Sequence, residues 1–228
     1  MNLIYTGKTK DVYELEDGNC LLKFKDGATG SLETGEFDPG ANQIIGTIKG
    51  KGRAGLKLSE FFFEKINAAG FPTHFVSCDT EKAEMTVKPA AMFGEGVEVI
   101  CRYKAAGSFV RRYGKYAQEG QALGALVEIT LKDDERGDPL ITRDALAALN
   151  ILTGGEHDVL VDLTKKISGV IKTALTEKEL ELIDIKLEFG RDKSGKIMLI
   201  DEVSGDCMRV SMDGKSVSPV ELERIVTG

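Results

Sequence analysis

Apolar and polar positions alternate along the first 25 residues, as they do in half-buried strands. The segments "LIYTGKTKDVYEL" and "NCLLKFK" follow this alternation, and "EDG" between them is a turn sequence. The alternation returns on either side of a charged turn in "HFVSCDTEKAEMTVKPA", residues 74–90. We therefore predict a meander of antiparallel strands and two further strands in the N-terminal part of the chain.

A helical period separates these two groups of strands. The apolar positions of "LKLSEFFFEKINAAG" fall on one helix face: Leu58, Phe61, Phe62 and Ile66. Gly70 is placed to end this helix in the left-handed conformation. The stretch before it, residues 26–55, is rich in glycine and lacks a period, which predicts a long loop or several short turns. Long loops often cover substrates, and we expect residues 27–53 to do so.

The second half of the chain begins with strands and continues with helices. "VEVICRY" and "LGALVEITL" predict two strands, and "KDDERGDP" predicts a polar turn after them. Thr142 is placed to cap a helix over "RDALAALNI", and "SPVE" predicts a last helix with Ser218 as its cap and Glu221 closing a capping box. Between these lies a longer helix with an apolar stripe: Val159, Leu163, Ile167, Val170 and Ile171.

The two glycines of "MFGEG" interrupt the pattern between the halves, and we place a hinge there, near residues 89–96. The sequence thus predicts an α+β fold with an antiparallel domain over residues 1–90 and a larger α+β domain over residues 91–228. A chain of 228 residues is long enough for two small domains that share a cleft.

The hairpin "IDIKLEFGRDKSGKIMLIDEV", residues 183–203, carries charges inside its strands. Strand alternation places Ile183, Ile185, Leu187 and Phe189 on one face, and leaves the other face with three charged residues: Asp184, Lys186 and Glu188. We expect the apolar face to join the core and the charged face to meet a ligand. A solvated face with a cross-strand Lys/Glu pair is the alternative.

Asp201 shares its predicted face with Ile197 and Leu199, at the end of the return strand. A carboxylate in an apolar series is costly unless it is paired or binds a cation. Mg²⁺ in proteins takes one or two carboxylates and completes its shell with phosphate oxygens. We therefore predict that Glu188 and Asp201 hold Mg²⁺ against the phosphates of a nucleotide.

Two other segments carry groups suited to anions. In "YTGKTKDVY", Gly7 lets the backbone approach a ligand, and alternation along a strand would put Lys8 and Lys10 over one phosphate chain. In "EVICRYKAAGSFVRRYG", Arg102 lies near Ser108 in a run of small residues, and guanidinium groups bind phosphate or carboxylate through two hydrogen bonds. Arg111 and Arg112 follow shortly after. Solvated surface charge is the alternative for both segments.

Composition narrows the class of protein. With 42% hydrophobic and 29% charged residues the chain has the balance of a folded soluble protein. A net charge of −7 and a pI near 5.1 argue against general nucleic-acid binding. We expect no membrane association, because no uncharged apolar stretch approaches the roughly 20 residues that a bilayer requires.

The cysteines and histidines exclude some chemistry. The four cysteines are scattered without a C-x-x-C pair and no secretory leader is evident, so we expect reduced thiols and a cytoplasmic protein. His74 and His157 have no second His or Cys at ligand spacing, which makes a zinc site improbable and favours packing or solvent exposure.

Together these blocks resemble the phosphoribosylaminoimidazole-succinocarboxamide synthase (SAICAR synthetase) family. The matching blocks run in order along nearly the whole chain: "YTGKTKDVY", "KGKG", "AAGFPTHF", "VEVICRYKAAGSFVRRYG", "KDDERGDPLI", "IDIKLEFG" and "IDEVSGDCMR". The resemblance implies a kinase-like two-lobed fold, with an antiparallel ATP-binding lobe, a larger α+β lobe and the active site between them. It also implies an ATP-dependent ligase of purine biosynthesis that joins L-aspartate to carboxyaminoimidazole ribotide (CAIR) through an acyl phosphate, and a homodimer.

The resemblance assigns roles to individual residues. It implies that Mg·ATP is held by the carboxylates Glu188 and Asp201, while further residues meet the nucleotide: Gly7, Lys8, Lys10, Lys88 and Glu98. It implies that the ribotide meets a second group: Arg102, Ser108, Asp138 and Arg209. Lys186 and Asp206 would line the same cleft as catalytic residues. Because an attacking amine must lose a proton, we expect a carboxylate such as Asp206 to accept it.

The chain also departs from the family pattern. The usual "D-D-x-T-A" stretch is reduced to "DGATG" at residues 26–30, Arg53 and Ala54 stand where a pair of asparagines is usual, and the family's "S-P-D" is "SGD" at residues 204–206. Because these departures fall in substrate loops, two alternatives stay open at this point. One is a divergent amide ligase or small-molecule kinase, and the other is a nucleotide-binding protein without turnover.

Overall fold

The computed structural model describes residues 1–30, 38–39 and 43–228. The N-terminal elements are β1 (Asn2–Thr6), β2 (Lys10–Glu14), β3 (Cys20–Phe24), β4 (Gly27–Gly30), β5 (Gln43–Thr47), α1 (Lys51–Ala68), β6 (Phe75–Asp79) and β7 (Glu84–Val87). The C-terminal elements are β8 (Ala91–Met92), β9 (Val97–Lys104), α2 (Ser108–Tyr113), β10 (Ala122–Leu131), α3 (Arg143–Ala148), α4 (Gly154–Thr176), β11 (Glu181–Arg191), β12 (Ile197–Ile200), β13 (Met208–Met212), β14 (Lys215–Ser216) and α5 (Pro219–Thr227).

The first sheet is antiparallel and has the strand order β1-β2-β3-β7-β6. Its first three strands are consecutive, which confirms the predicted meander, and β6 and β7 are the two strands predicted after the helix. The helix before them ends as expected, because Gly70 takes a φ of 84° in the left-handed region.

The glycine-rich stretch is more ordered than its composition predicts. β4 and β5 pair as a two-stranded antiparallel sheet, and α1 begins at Lys51, inside the predicted loop. Gly50, with a φ of 83°, makes the turn into this helix, and the "KGRAG" start of α1 is largely buried. The prediction of one long loop is therefore wrong for these residues. Residues 31–37 and 40–42 lie outside the described part of the chain.

The second sheet is built around the long strand β11. Its path is β10-β9-β11-β13-β14, and β12 and β8 pair with the C-terminal part of β11. All of these pairings are antiparallel. One face of β11 packs against α4 in the main core, where Ile185, Leu187 and Phe189 are almost fully buried. The predicted division of this hairpin into an apolar and a charged face is confirmed over residues 185–189.

Two details of the predicted core are wrong. A bulge between Leu182 and Asp184 shifts the register of β11 against β13, so Leu182 takes the buried position instead of Ile183. In α4 the buried face is turned by one residue relative to the prediction, since Leu160 is fully buried whereas Val159 is 44% exposed. Ile167 and Ile171 are buried as predicted.

The helix caps follow local sequence chemistry. Thr142 caps α3 as predicted, its side chain accepting a hydrogen bond from the backbone N–H of Ala145. Ser218 caps α5 and accepts from the Glu221 N–H at 3.4 Å, which gives one half of the predicted capping box. The complete capping box forms at α4, between Thr153 and Glu156.

The start of α5 lies directly against the loop after β12. A Cβ atom added at Gly205 would stand 2.7 Å from the Cα of Pro219 and 2.8 Å from its Cβ. Real Cβ atoms do not approach neighbours so closely, so this position accepts only glycine while α5 begins where it does. The family's proline at this position would not fit here.

The predicted division of the chain at residue 90 stays a prediction. β8 pairs with β11 from residue 91 onward, yet a single cluster of buried apolar side chains includes residues from both sheets and from α1, α4 and α5. Within the described residues, no helix combines the length and apolar character that crossing a membrane requires.

Candidate active site

The charged face of β11 continues across its neighbours. Asp184 lies directly opposite Arg102 of β9 on one side and Arg209 of β13 on the other. Four residues further along, Glu188 lies opposite Glu98 of β9, and Lys186 falls between these two rows. At about 3.3 Å per residue, the arginine row and the glutamate row are about 13 Å apart along the strand.

Arg102 is held entirely by protein groups. Its Nε donates to Glu128 at 2.7 Å, Nη1 donates to Asp184 at 2.8 Å and Nη2 donates to the Ser108 hydroxyl at 2.9 Å. The side chain is 1% exposed. Acidic groups on the neighbouring strands and the Ser108 hydroxyl thus take up all three sides of its guanidinium, and its predicted contact with the ribotide stays a prediction.

Arg209 is the more accessible arginine of this row. Its Nη1 donates to both Asp184 oxygens, at 3.1 and 2.8 Å, and its Nη2 donates to Asp38. The guanidinium lies against Gly107, where an added Cβ would stand 2.5 Å from Nη2. A cleft open to solvent is lined by Arg209 together with Arg102, Ser108, Asp184, Lys186 and Pro39. Arg209 is also paired with protein carboxylates, but its side chain is 22% exposed whereas that of Arg102 is 1% exposed, so it is the more accessible of the two to a ligand in the cleft.

Arg111 and Arg112, the other arginines of the basic segment "EVICRYKAAGSFVRRYG", lie at the edge of the arginine row. Both Nη2 contacts of Arg112 go to Glu128, at 2.8 and 2.7 Å. Arg111 is 63% exposed and lies 4.0 Å from Asp38. The basic segment is thus neutralised on one side and open to solvent on the other.

The glutamate row is bridged by lysines. Lys186 donates to Glu98 at 2.6 Å, and Thr130 donates to the other oxygen of Glu98 at 3.1 Å. Lys132 donates to both oxygens of Glu188, at 2.8 and 2.9 Å. The row holds two like charges opposite one another only because each carries its own ammonium group.

Asp201 joins this row from the end of β12. The strand ends at Ile200, and Asp201 takes a left-handed φ of 66°, so it leaves the alternation that placed it with Ile197 and Leu199. That placement was wrong. Its carboxylate instead accepts from Lys10 at 3.0 Å, and Lys10 also pairs with the buried Glu202.

The two predicted metal ligands interact electrostatically. Burial and the Asp201 charge raise the pKa of Glu188 above its usual range. Burial also favours the protonated form of Asp201, but the Lys10 and Lys132 charges outweigh it and hold the pKa of Asp201 well below its usual range. Two carboxylates whose charges interact, each paired with a lysine, are a donor set that fits Mg²⁺ bound to phosphates.

Asp206 faces a fully buried lysine. Lys51, the first residue of α1, donates to Asp206 and, at 2.7 Å, to the carbonyl of Gly27 at the start of β4. Burial and the neighbouring Glu202 charge raise the pKa of Asp206 to about 6, against the opposing effect of Lys51. The second carboxylate oxygen of Asp206 is buried and accepts no hydrogen bond from the described residues.

The lysines of the first strands are arranged differently from the prediction. Gly7, Lys8 and Thr9 form the turn between β1 and β2, so Lys8 and Lys10 do not alternate along one strand. Lys8 pairs with Asp134 at 2.6 Å, while Lys10 reaches the end of β12. A Cβ at Gly7 would stand 2.9 Å from the carbonyl oxygen of Lys10, so the turn itself requires this glycine.

Lys88 and Asp138 lie at the margin of the charged cluster. Lys88 follows β7 with an exposed side chain, and its N–H donates to the His74 carbonyl at 2.7 Å. Asp138 accepts the backbone N–H of Asp133 at 2.8 Å in the turn after β10. Their proposed ligand contacts stay predictions.

His74 is buried next to the acidic cluster. Its Nε2 lies 2.9 Å from the carbonyl oxygen of Asp201, and its ring packs against Phe63. Burial lowers the pKa of His74 to about 4, so the ring is neutral near pH 7. A carbonyl only accepts, and the single ring proton is therefore on Nε2. In the described part of the chain no three His, Cys, Asp or Glu side chains are grouped as a metal site.

Sequence reasoning missed three charged residues of this cluster as site residues: Lys51, Lys132 and Glu202. Lys51 lies in the quoted "KGKG" block, but nothing distinguishes it from the exposed Lys49 two positions earlier. Lys132 begins a segment interpreted as a polar turn. Glu202 was visible as a charge beside Asp201, although its burial depends on a partner 192 residues away.

Comparisons with known proteins identify the family of the chain. The family model described as SAICAR synthetase matches residues 3–220. The phosphoribosylaminoimidazole-succinocarboxamide synthase of Clostridium tetani is 58% identical over 227 residues, covering 99% of both chains. That of Streptococcus pneumoniae (strain Hungary19A-6) is 40% identical over 212 residues, covering 91% of this chain and 83% of its own.

Solved structures give the same answer for the fold. A SAICAR synthetase in complex with ADP superposes with a TM-score of 0.83 at 30% identity, covering 98% of this chain and 91% of its own. The predicted α+β fold is confirmed. From the matched model, the sequence identity and the shared fold, the chain belongs to the SAICAR synthetase family.

Proposed function

We propose that this chain uses ATP to join L-aspartate to CAIR, giving SAICAR, ADP and phosphate. The observation that carries the proposal is the order of groups along the charged face of β11. An arginine row able to take a phosphate, a central lysine and a carboxylate pair suited to metal-bound phosphates follow one another over about 13 Å. A ribotide with a phosphate at one end and a carboxylate at the other fits that order.

The ribotide phosphate is assigned to Arg209 with Ser108. Arg209 lies in the cleft, and Ser108 already accepts one Arg102 hydrogen bond, which leaves its hydroxyl proton for a ligand. Arg102 holds both Asp184 and Ser108 in place, so its role is to position this end of the cleft. Asp138 is kept as a further ribotide contact from the turn after β10.

The nucleotide is assigned to the other end. Lys10 and Lys8 meet its phosphates, Gly7 and Lys88 lie at the rim, and Glu98 is placed for the ribose. Glu188 and Asp201 would hold Mg²⁺. When bound there, Mg²⁺ neutralises phosphate charge during transfer.

The steps of the reaction are assigned to different residues of the chain. A free carboxylate resists attack by an amine because oxide is a poor leaving group, so the CAIR carboxylate is first converted by ATP to an acyl phosphate. Lys186 lies between the rows and neutralises charge on this carboxylate, and Lys10 does so on the phosphoryl group. The amine of aspartate attacks the acyl carbon, the bond from that carbon to the phosphate oxygen breaks and phosphate leaves, and Asp206 accepts the proton of the amine.

The assembly and location are proposals as well. We infer a homodimer from family membership, and sedimentation of the purified chain tests it. We infer a cytoplasmic protein because Cys20, Cys78, Cys101 and Cys207 are all free thiols.

Isotope transfer tests the reaction. The protein is incubated with Mg·ATP, L-aspartate and CAIR that carries ¹⁸O in its carboxylate. We expect SAICAR and ADP, with one ¹⁸O in the released phosphate. Unlabelled phosphate with product would reject the acyl phosphate. ADP release with another amine or acceptor would indicate a divergent ligase or kinase, and nucleotide binding without turnover would contradict the proposal.

The pH dependence tests Asp206. Because a proton acceptor works only when ionised and burial raises the pKa of Asp206 to about 6, kcat/KM should fall below about pH 6. The same raised pKa means that this carboxyl stabilises the fold at low pH and that its contribution is lost as pH rises through about 6. Lys51→Met removes the charge that lowers this pKa. The acid limb of the kcat/KM profile should therefore move up by about one pH unit.

Lys57→Met is the control for this shift. Lys57 lies on the same helix and pairs with Glu223 at 3.1 Å, away from Asp206. Its acid limb should match that of the wild type. An acid limb that stays in place in Lys51→Met would remove Asp206 from the proton transfer.

A glycine substitution tests the assignment of the ribotide phosphate to Arg209. Gly107→Ala adds a Cβ within 2.5 Å of Arg209 Nη2 on backbone with a φ of 53°. We expect the KM for CAIR to rise roughly tenfold or more because the guanidinium is displaced, with the KM for ATP nearly unchanged. Gly124→Ala is the matched control, since its φ is 61° and no atom lies within 4 Å of the added Cβ. Equal KM values for CAIR in the two variants would contradict the assignment.

A further inference from the structure

The segment before β6 extends the hydrogen bonding of β12 past the end of that strand. Thr73 forms a parallel bridge with Leu199, and the N–H of His74 donates to the Leu199 carbonyl at 2.9 Å. Two residues further along, the Asp201 carbonyl accepts from Nε2 of the same histidine, also at 2.9 Å. The imidazole thus supplies the donor that a neighbouring strand would have supplied had β12 continued.

The conformation of Asp201 depends on the contacts around it. Its φ of 66° lies in the left-handed region, which Asp tolerates better than most residues but which is still less favourable than the ordinary right-handed and extended regions. Its carboxylate is held by Lys10 at 3.0 Å. If Lys10 turns to the phosphates of a nucleotide, that restraint weakens just when the carboxylate is required in place. The contact from His74 goes to the main chain and does not compete with a ligand.

His74 is itself fixed on several sides. It is 4% exposed, its ring packs against the fully buried Phe63, and its carbonyl accepts the Lys88 N–H at 2.7 Å. A donor with so little freedom constrains the group that it binds.

We propose that His74 is a positioning residue of the metal site, which holds the main chain of Asp201 so that its carboxylate is set for Mg²⁺ and the ATP phosphates. This inference rests on the function proposed above. The histidine does not touch the substrates and acts only through Asp201. In this respect it resembles the outer partners of metal ligands, whose loss weakens metal binding by roughly 10–100-fold.

Replacement side chains of different reach provide the test. The amide nitrogen of glutamine extends as far as Nε2 of histidine, whereas that of asparagine reaches only as far as Nδ1, and phenylalanine keeps the ring without a donor. Mn²⁺ binding to the ADP-bound protein is measured by electron paramagnetic resonance, which needs no turnover. We expect roughly tenfold weaker Mn²⁺ binding in His74→Phe and His74→Asn, and nearly wild-type binding in His74→Gln.

Thr73→Val is the matched control. Thr73 is also 4% exposed, and its hydroxyl donates to Asn67 at 2.8 Å rather than to the metal site. Its Mn²⁺ affinity should equal that of the wild type even if its thermal stability falls. A loss of Mn²⁺ affinity in Thr73→Val as large as in His74→Phe would reduce the histidine to a packing role and overturn the inference. If His74→Phe does not fold, the difference between the Gln and Asn variants decides the question in the same way.

Asp201→Asn separates this inference from the proposed function. If Asp201→Asn leaves Mn²⁺ binding unchanged, the metal site itself is misplaced and both fail. If Asp201→Asn weakens binding while His74→Phe and His74→Asn do not, the metal site stands and the positioning role of His74 is rejected.

Discussion

Glu188→Gln and Asp201→Asn are each expected to lower kcat at least 100-fold, equivalent to about 2.7 kcal/mol of transition-state stabilisation. Both changes keep the size of the side chain and remove one of the two charges proposed to hold Mg²⁺. In Glu188→Gln, Lys132 faces a neutral amide, so the site also becomes more positive. Added Mg²⁺ should therefore restore little activity. Steady-state kinetics over a range of Mg²⁺ concentrations measure the effect.

Glu181→Gln is the control for this pair. Glu181 is the first residue of β11, on the strand that carries Glu188, and it pairs with Lys104 at the exposed end of the sheet. Its kcat should stay within about twofold of the wild type, because exposed ion pairs contribute little. Equal turnover in Glu188→Gln and Glu181→Gln would exclude Glu188 from metal binding.

Arg102→Met is expected to lower the free energy of unfolding by about 3 kcal/mol. The change leaves Asp184 and Glu128 with one arginine each, and their side chains are only 4% and 8% exposed. Removing one member of a buried charge cluster costs about 3–5 kcal/mol, and the remaining arginines favour the lower figure. For a chain of this length the melting temperature should fall by about 6–12 °C.

Arg112→Met is the control that distinguishes the effect of burial from the effect of losing one charge. Arg112 binds the same Glu128 carboxylate, but its side chain is 29% exposed. Its removal should cost less than about 1 kcal/mol, which thermal denaturation of the two variants can distinguish. Similar melting temperatures for the two variants would mean that Arg102 does not organise the sheet and would return it to direct ribotide binding.

Patterns within one strand were predictable from the sequence. The alternation of residues 185–189 reported both the core face and the charged face of β11, because strand periodicity is local. It failed at Ile183, where a bulge set by pairing with β13 shifts the register. The turn at Lys8 was missed for a related reason, since a short strand, a turn and a second strand can share one alternating pattern.

Charge pairing between distant segments was not predictable. Lys10 and Glu202 are 192 positions apart, and Lys51 and Asp206 are 155 positions apart. Their meeting depends on how the two sheets and α1 come together, which no local pattern reports. For the same reason the sequence did not reveal the acidic partners of Arg102, which are Glu128 on β10 and Asp184 on β11. The resemblance to a family supplied the site assignments that periodicity could not, and those assignments stay predictions.

The contact between Gly205 and Pro219 limits which changes the chain can accept in this loop. A residue with a Cβ at position 205 would collide with the first residue of α5, only 2.7 Å away. The glycine and the present start of the last helix are therefore mutually dependent. A variant with proline at 205 would have to shift the start of the helix as well, so the loop after β12 and the last helix can be changed only together.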